Sequence, residues 1–130
     1  MQSDEYKTWF TRVDDYLKWT KDNLKDGNYP LVCFLSQQAI EIAFKGFIYF
    51  KDKVPPKTHD LVKVLDDAKS LGLEIGEELS EKLDTISDYY FESRYPDVEN
   101  RSLDNRQIAE EALESATEIV KKVKSSLPSA

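Results

Sequence analysis

The chain has few of the residues that carry nucleophilic or metal chemistry: it holds one cysteine, Cys33, and one histidine, His59. A single cysteine excludes an internal disulfide, and a single histidine excludes a metal site built on two or more histidines. Cys33 lies in an apolar run, which predicts a core thiol in a reducing, cytoplasmic compartment. A Gly-rich phosphate loop, a cysteine pair and the Glu-x-x-His pattern of di-iron bundles are missing too. The sequence therefore predicts neither a metal nor a cofactor.

Basic residues are outnumbered, with 18 lysines and arginines against 25 aspartates and glutamates, and long hydrophobic runs are scarce. The net charge of −7 and the pI of about 4.8 argue against a generally basic nucleic-acid-binding surface, although they leave room for a local basic patch. The sequence has no N-terminal basic and apolar leader, and no window approaches the roughly 18 apolar residues of a membrane span. We therefore expect no membrane segment. The 130 residues, 40% of them hydrophobic, fit one domain covering residues 1–130.

The chain shows helical periodicity, without strand alternation or internal repeats. The apolar spacing predicts a first helix from Asp4 to Lys25, closed by Gly27 in the left-handed conformation. A second and more hydrophobic helix is expected from Tyr29 to about Lys53, because Pro30 suits a first helical turn. Gly46 lies in the middle of that helix, where glycine costs about 1 kcal/mol relative to alanine. This position therefore predicts a close approach by a neighbouring backbone.

Three further helices complete the prediction. Pro55 and Pro56 break the chain after the second helix, and Thr58 is expected to cap the third. A fourth helix is expected to begin near Glu77, and Asp104 is expected to cap a final helix that ends before Pro128. Short loops between these helices predict an all-α fold, an up-and-down four-helix bundle with a short additional helix.

A polar stripe runs along the otherwise apolar second helix. Gln37, Gln38, Glu41 and Lys45 fall within one sector of about 100° on a helical wheel. Glu41 and Lys45 have the favourable i, i+4 orientation, so the stripe can be a solvated or internally paired surface. It can equally line a polar cleft in which Lys45 positions an anionic ligand. Spacing alone does not separate these two interpretations.

His59 follows Thr58 at the predicted start of the third helix. A histidine titrates near neutral pH and can act as a general acid or base. The alternative is an ordinary helical N-terminus, in which Thr58 caps the turn and Asp60 interacts with the helix dipole. Both interpretations stay open from the sequence.

An arginine stands at the end of an aromatic segment. Tyr90 and Phe91 are expected in the core, whereas Arg94 can bind a carboxylate or a phosphate bidentately. Asp97 lies three residues further on and can simply pair with Arg94. Tyr95 is a candidate for stacking on a base.

These segments, in this order, resemble the HEPN domain family of small helical bundles. The resemblance rests on Gln37 to Lys45, on Thr58 to Leu61 and on Arg94 to Asp97, and it extends from about Tyr6 to Val123. It implies a four-helix up-and-down bundle that is usually a homodimer. Many HEPN proteins are partners of a small nucleotidyltransferase, often in a two-protein system of the toxin–antitoxin kind. Others are metal-independent RNases that use an arginine followed, four to six residues later, by a histidine.

The chain departs from that RNase pattern. Arg94 matches the arginine, but the positions where the histidine should fall hold Glu99, Asn100 and Arg101. General acid–base cleavage next to a 2′-hydroxyl then lacks its usual proton acceptor. No catalytic residue is therefore assigned from the family pattern.

The leading hypothesis is a binding module without catalysis of its own. The resemblance implies a homodimer that binds a nucleotidyltransferase partner, and Lys45 and Arg94 suggest a nucleotide in a cleft between helices. The candidate ligand-binding residues are Gln38, Glu41, Lys45, His59, Arg94, Tyr95 and Asp97. One alternative is an RNase that uses Arg94 with Tyr95, Asp97 or His59 as a non-standard base. Another is a protein that only sequesters its partner and binds no ligand.

Overall fold

The computed structural model describes residues 5–94 and 103–128. In these two stretches all regular structure is helical, which confirms the expected all-α bundle. The helices are α1 (Glu5–Lys25), α2 (Tyr29–Phe50), α3 (Leu61–Ser70), the single turn α4 (Glu77–Ser80), α5 (Leu83–Glu92) and α6 (Arg106–Ser125).

The central element is α2, which packs against α1, α3, α5 and α6. Its large side chains are buried on several sides, including Ile40, Phe44, Phe47 and Ile48. By length and composition alone α2 also qualifies as a membrane-spanning helix, contrary to the expectation from the sequence, with a mean hydropathy of 1.3. However, 78% of its most apolar window is buried within the bundle. The core helix of a soluble domain passes the same test.

The boundaries of α1 and α2 follow the turn residues. Gly27 has a φ of 81° and closes α1 as expected, and Pro30 lies in the first turn of α2. The second helix ends at Phe50, slightly earlier than predicted. Asp52 has a φ of 60°, and the backbone N–H of Lys53 donates to Ile48 at 3.1 Å. This left-handed residue turns the chain out of the helix before the two prolines.

Gly46 packs tightly against α1, which confirms the expected close approach. A Cβ atom at this position would be 2.8 Å from Phe10 Cε2 and 3.1 Å from Trp9 Cβ. The absence of a side chain therefore lets the two helices pack at this separation.

The cap of α3 differs from the prediction. Asp60, not Thr58, is the N-cap residue, and its Oδ1 accepts from the backbone N–H groups of Val62 at 3.0 Å and Lys63 at 3.4 Å. The Thr58 hydroxyl instead accepts from the N–H of Asp60 at 3.1 Å. Both residue types can cap a helix, and the position at which α3 begins makes Asp60 the cap.

Replacing Asp60 with alanine should lower the free energy of unfolding by about 1 kcal/mol, because two N–H groups of the first turn lose their acceptor. Thr58→Ala serves as the control and should cost less, since its hydroxyl serves only the N–H of Asp60. Urea denaturation followed by circular dichroism measures both values. A larger loss for Thr58→Ala would contradict the assignment of the cap.

The predicted fourth helix is divided into α4 and α5, with a turn at Glu81 and Lys82. The buried residues of α5 are Leu83, Ile86 and Tyr89. The expectation that Tyr90 and Phe91 lie in the core is therefore wrong: Tyr90 is half-buried and Phe91 is 49% exposed. Residues 83, 86 and 89 form the buried face, and the next two residues are rotated away from it by the helical repeat.

The N-cap of the last helix lies one residue later than predicted. Asn105 is the N-cap of α6, and its Oδ1 accepts from the N–H of Ile108 at 3.0 Å. The expectation that Asp104 caps this helix is wrong.

Candidate functional site

The polar stripe of α2 surrounds a buried carboxylate. The Glu41 side chain is only 4% exposed, and Lys45 Nζ lies 3.0 Å from its Oε2. The amide nitrogen of Gln37 donates to Oε1 at 3.1 Å, and that of Gln38 lies 3.4 Å from the same oxygen. Because a buried charge is costly unless it is paired and hydrogen-bonded, these contacts stabilise the carboxylate.

His59 joins this stripe from the segment between α2 and α3. Its Nδ1 lies 3.0 Å from Glu41 Oε1 and 3.3 Å from Oε2. An ionised carboxylate can only accept hydrogen bonds, so Nδ1 carries a proton and Nε2 remains for another partner. The side chain is 46% exposed, so a ligand in solvent can reach the imidazole.

Two neighbouring helices hold the backbone of His59. The amide nitrogen of Gln37, on α2, donates to the His59 carbonyl at 3.0 Å. The hydroxyl of Ser87, on α5, donates to the same carbonyl at 3.3 Å and accepts from the N–H of Leu61 at 3.0 Å. The position of the imidazole therefore depends on hydrogen bonds from α2 and α5 to this backbone, and not only on the loop that carries His59.

An aromatic ring connects His59 with Arg94. The rings of His59 and Tyr90 are stacked, with centroids 3.8 Å apart and planes inclined by 14°. The guanidinium carbon of Arg94 lies 4.6 Å from the centroid of Tyr90 and 5.8 Å from that of Phe34. His59 and Arg94 therefore contact the same ring, although they lie far apart in the sequence.

The surfaces on the two sides of this cluster differ in character. Arg94 borders a groove of about 710 Å³, which we call the α2 groove, lined also by Asn28, Pro30, Leu31, Phe34 and Ser93. Leu31 is 42% exposed there. A second pocket, of about 440 Å³ beside His59, contains the carboxylates of Asp60, Asp84 and Asp88. An anionic ligand is therefore favoured on the Arg94 side and disfavoured on the acidic side.

The structure brings most of the sequence-predicted residues together. Gln38, Glu41, Lys45 and His59 form one hydrogen-bonded cluster, and Arg94 reaches it through Tyr90. Lys45 is only 11% exposed and is paired with Glu41, as the internal-pair interpretation of the stripe anticipated. Tyr95 and Asp97 lie outside the described residues.

The sequence interpretation missed Tyr90, Phe34 and Ser87. Tyr90 precedes Arg94 by four residues, a spacing that places two side chains on the same face of a helix and could have linked them. The roles of Phe34 and Ser87 depend on how α2 and α5 pack, for which the sequence gives no signal. Within residues 5–94 and 103–128, no group of three or more metal-ligating side chains occurs.

Comparison with known proteins identifies the family. The family model described as HEPN domain matches residues 6–126, so the chain belongs to the HEPN domain family. The crystal structure of TT1696 from Thermus thermophilus is 29% identical, covers 96% of this chain and 100% of its own, and has a TM-score of 0.86. ST0689, an archaeal HEPN homologue, is 25% identical over 93% of this chain and 96% of its own, with a TM-score of 0.73. No curated protein matches the chain significantly.

Proposed function

We propose that this HEPN domain is a binding module for a nucleotide, which it holds in the α2 groove with its phosphate on Arg94. The observation that carries the proposal is the position of Arg94, between the Tyr90 ring at 4.6 Å and a groove with apolar walls. A guanidinium binds phosphate oxygens bidentately. The exposed surfaces of Phe34 and Leu31 offer an apolar wall for a base.

This proposal gives Lys45 a structural role. Its ammonium group neutralises Glu41 at 3.0 Å inside the bundle, so the phosphate is assigned to Arg94, which contacts the same Tyr90 ring as His59. Glu41 and Gln38 then act indirectly, since they belong to the cluster that positions the imidazole.

The proposal extends to the protein partners that the family implies. As in many HEPN proteins, the domain would form a homodimer and associate with a small nucleotidyltransferase in a toxin–antitoxin-like system. Association with another chain would cover the side chain of Phe91, which is 49% exposed and lies outside the α2 groove. Light scattering on the purified domain tests the homodimer, and recovery from a host lysate with mass spectrometry tests the partner.

Titration calorimetry with AMP tests the nucleotide site. Replacing Arg94 with alanine should weaken binding by roughly 10- to 100-fold, as expected for the loss of hydrogen bonds to a charged group. Arg12→Ala is the matched control, because Arg12 is an exposed arginine of α1 that pairs with Asp15. Its affinity should equal that of the wild type. Absence of AMP binding, or equal binding by the Arg94→Ala variant, would overturn the proposal.

A second candidate function is RNA cleavage, which the Glu41–His59 contact specifically favours. Glu41 accepts from Nδ1 and thereby orients the imidazole, as a carboxylate does in catalytic triads. Nε2 of this half-exposed side chain can then take the proton of a 2′-hydroxyl while that oxygen attacks the phosphorus, the bond from phosphorus to the 5′-oxygen breaks, and the departing 5′-oxygen takes a proton from water. Arg94, on the same aromatic ring, can stabilise the charge that develops on the phosphate.

A labelled-RNA assay in EDTA tests this second candidate. Cleavage by the wild type should fall by roughly 100-fold or more in a His59→Gln variant, in line with the usual contribution of a general base. The Arg94→Ala variant should also be impaired, whereas Arg12→Ala should not. If the wild type leaves RNA intact, or if His59→Gln cleaves at the wild-type rate, the RNase hypothesis fails.

A further inference from the structure

One wall of the α2 groove carries an amide whose orientation is determined by its neighbours. The amide nitrogen of Asn23 donates to the carbonyl of Trp19 at 2.9 Å. A carbonyl can only accept, so Asn23 must direct its NH₂ group there and its Oδ1 towards Asn28. The amide nitrogen of Asn28 donates to that Oδ1 at 3.0 Å. This sequence of hydrogen bonds assigns the nitrogen and oxygen of Asn28 without ambiguity.

The oxygen of Asn28 is consequently an available acceptor. Asn28 is the N-cap residue of α2, but its side chain makes no capping hydrogen bond. In the described part of the chain, no donor contacts its Oδ1. The residue is exposed and lines the α2 groove together with Phe34 and Arg94.

The groove therefore combines three chemical features: a hydrogen-bond acceptor on Asn28, the apolar side chains of Leu31 and Phe34, and the cation of Arg94. A complementary ligand has a donor, a flat apolar body and an anionic group. An adenine nucleotide has all three, because its exocyclic N6 amino group donates and asparagine is a common partner of that edge of adenine. In hypoxanthine an oxygen replaces this amino group and would face the oxygen of Asn28.

We propose that the α2 groove selects adenine among purine nucleotides, through the oxygen of Asn28. The inference rests on the nucleotide binding proposed above and adds the identity of the base. Rotation of the Asn28 amide would let it donate to hypoxanthine, but it would also place two oxygens together at the contact with Asn23. The hydrogen bond from Asn23 to Trp19 opposes a compensating rotation of Asn23.

Calorimetric titration with AMP and with IMP tests this selectivity. The wild type should bind AMP roughly three- to tenfold more tightly than IMP, the range expected for one hydrogen bond. In Asn28→Ala the two affinities should become equal, mainly because AMP binds less tightly. In Asn23→Ala the amide of Asn28 is free to rotate, so IMP should bind more tightly and the ratio should again fall. Thermal unfolding followed by circular dichroism verifies that both variants are folded.

The outcomes separate this inference from the proposed function. If the wild type binds AMP and IMP equally, or if Asn28→Ala keeps the wild-type ratio, adenine selection is refuted while nucleotide binding stands. If the wild type binds neither nucleotide, both proposals fall together. A ratio that persists in Asn23→Ala would also overturn the inference, because the selectivity depends on the orientation that Asn23 imposes.

Discussion

Replacement of Glu41 with alanine should lower the free energy of unfolding by about 3–5 kcal/mol, the usual cost of removing one partner of a buried ion pair. Lys45 would keep its charge in a mostly buried position without the oxygen that now lies 3.0 Å away. Gln37, which is fully buried, would lose one of its acceptors. Urea denaturation monitored by circular dichroism gives the free energy directly.

Two comparisons make the Glu41 prediction specific. Asp22→Ala removes the acid of an exposed i, i+4 pair with Lys18 and should cost less than about 0.5 kcal/mol. Combining Glu41→Leu with Lys45→Met removes both charges and should recover much of the lost stability, since apolar residues often replace a buried ion pair at little cost. A loss for Glu41→Ala no larger than that of Asp22→Ala would show that the carboxylate is not part of the packed interior.

The second large effect is expected at Gly46, where a leucine should destabilise the fold by about 3 kcal/mol, at the upper end of the usual cost of overpacking. The added Cβ would lie 2.8 Å from Phe10 Cε2 and 3.1 Å from Trp9 Cβ. The Phe10 ring is confined within the core, and the Cβ of Trp9 moves only with the backbone of α1. Accommodating a leucine therefore requires α1 and α2 to separate.

Gly46→Ala is the graded control for this effect. The methyl group meets the same two atoms, but alanine stabilises a helix by about 1 kcal/mol relative to glycine. The net loss should therefore be clearly smaller than for leucine. Equal stability of Gly46→Leu and the wild type would mean that the contact between α1 and α2 at this position is not close. Thermal midpoints provide an independent measure, with a shift of roughly 4 °C per kcal/mol for a domain of this size.

The Glu41 cluster contributes both to the stability of the fold and to the candidate site. The carboxylate that neutralises Lys45 also orients His59, and His59 stacks on the ring that carries Arg94. Variants of Glu41 should thus perturb the position of His59 even where the domain stays folded. Arg94 and Asn28 are better suited to functional tests, because they lie on the surface and outside the packed core.

Most of the fold follows from local patterns in the sequence. The 3.6-residue periodicity predicted the helices, and the apolar character of α2 on several sides indicated its central position. Gly46 indicated a close helix contact, and the ordered segments around Gln38, His59 and Arg94 indicated the family. Local patterns did not decide between nearby residues that can play the same role. Thr58 and Asp60 can both cap a helix, and the residue at which α3 begins makes Asp60 the cap.

The assembly of the candidate site was decided by tertiary structure. His59 and Glu41 are separated by 18 positions, and the two prolines between them interrupt the helical repeat. No periodicity extends across such a segment, so the sequence could place each residue on its own element but could not bring them together. Tyr90 is the clearest case: its residue type favoured the core, yet the packing of α5 on Leu83, Ile86 and Tyr89 turned its ring towards His59 and Arg94. Periodicity determines which face of a helix is buried, whereas the contacts that form a site depend on how separate helices pack against one another.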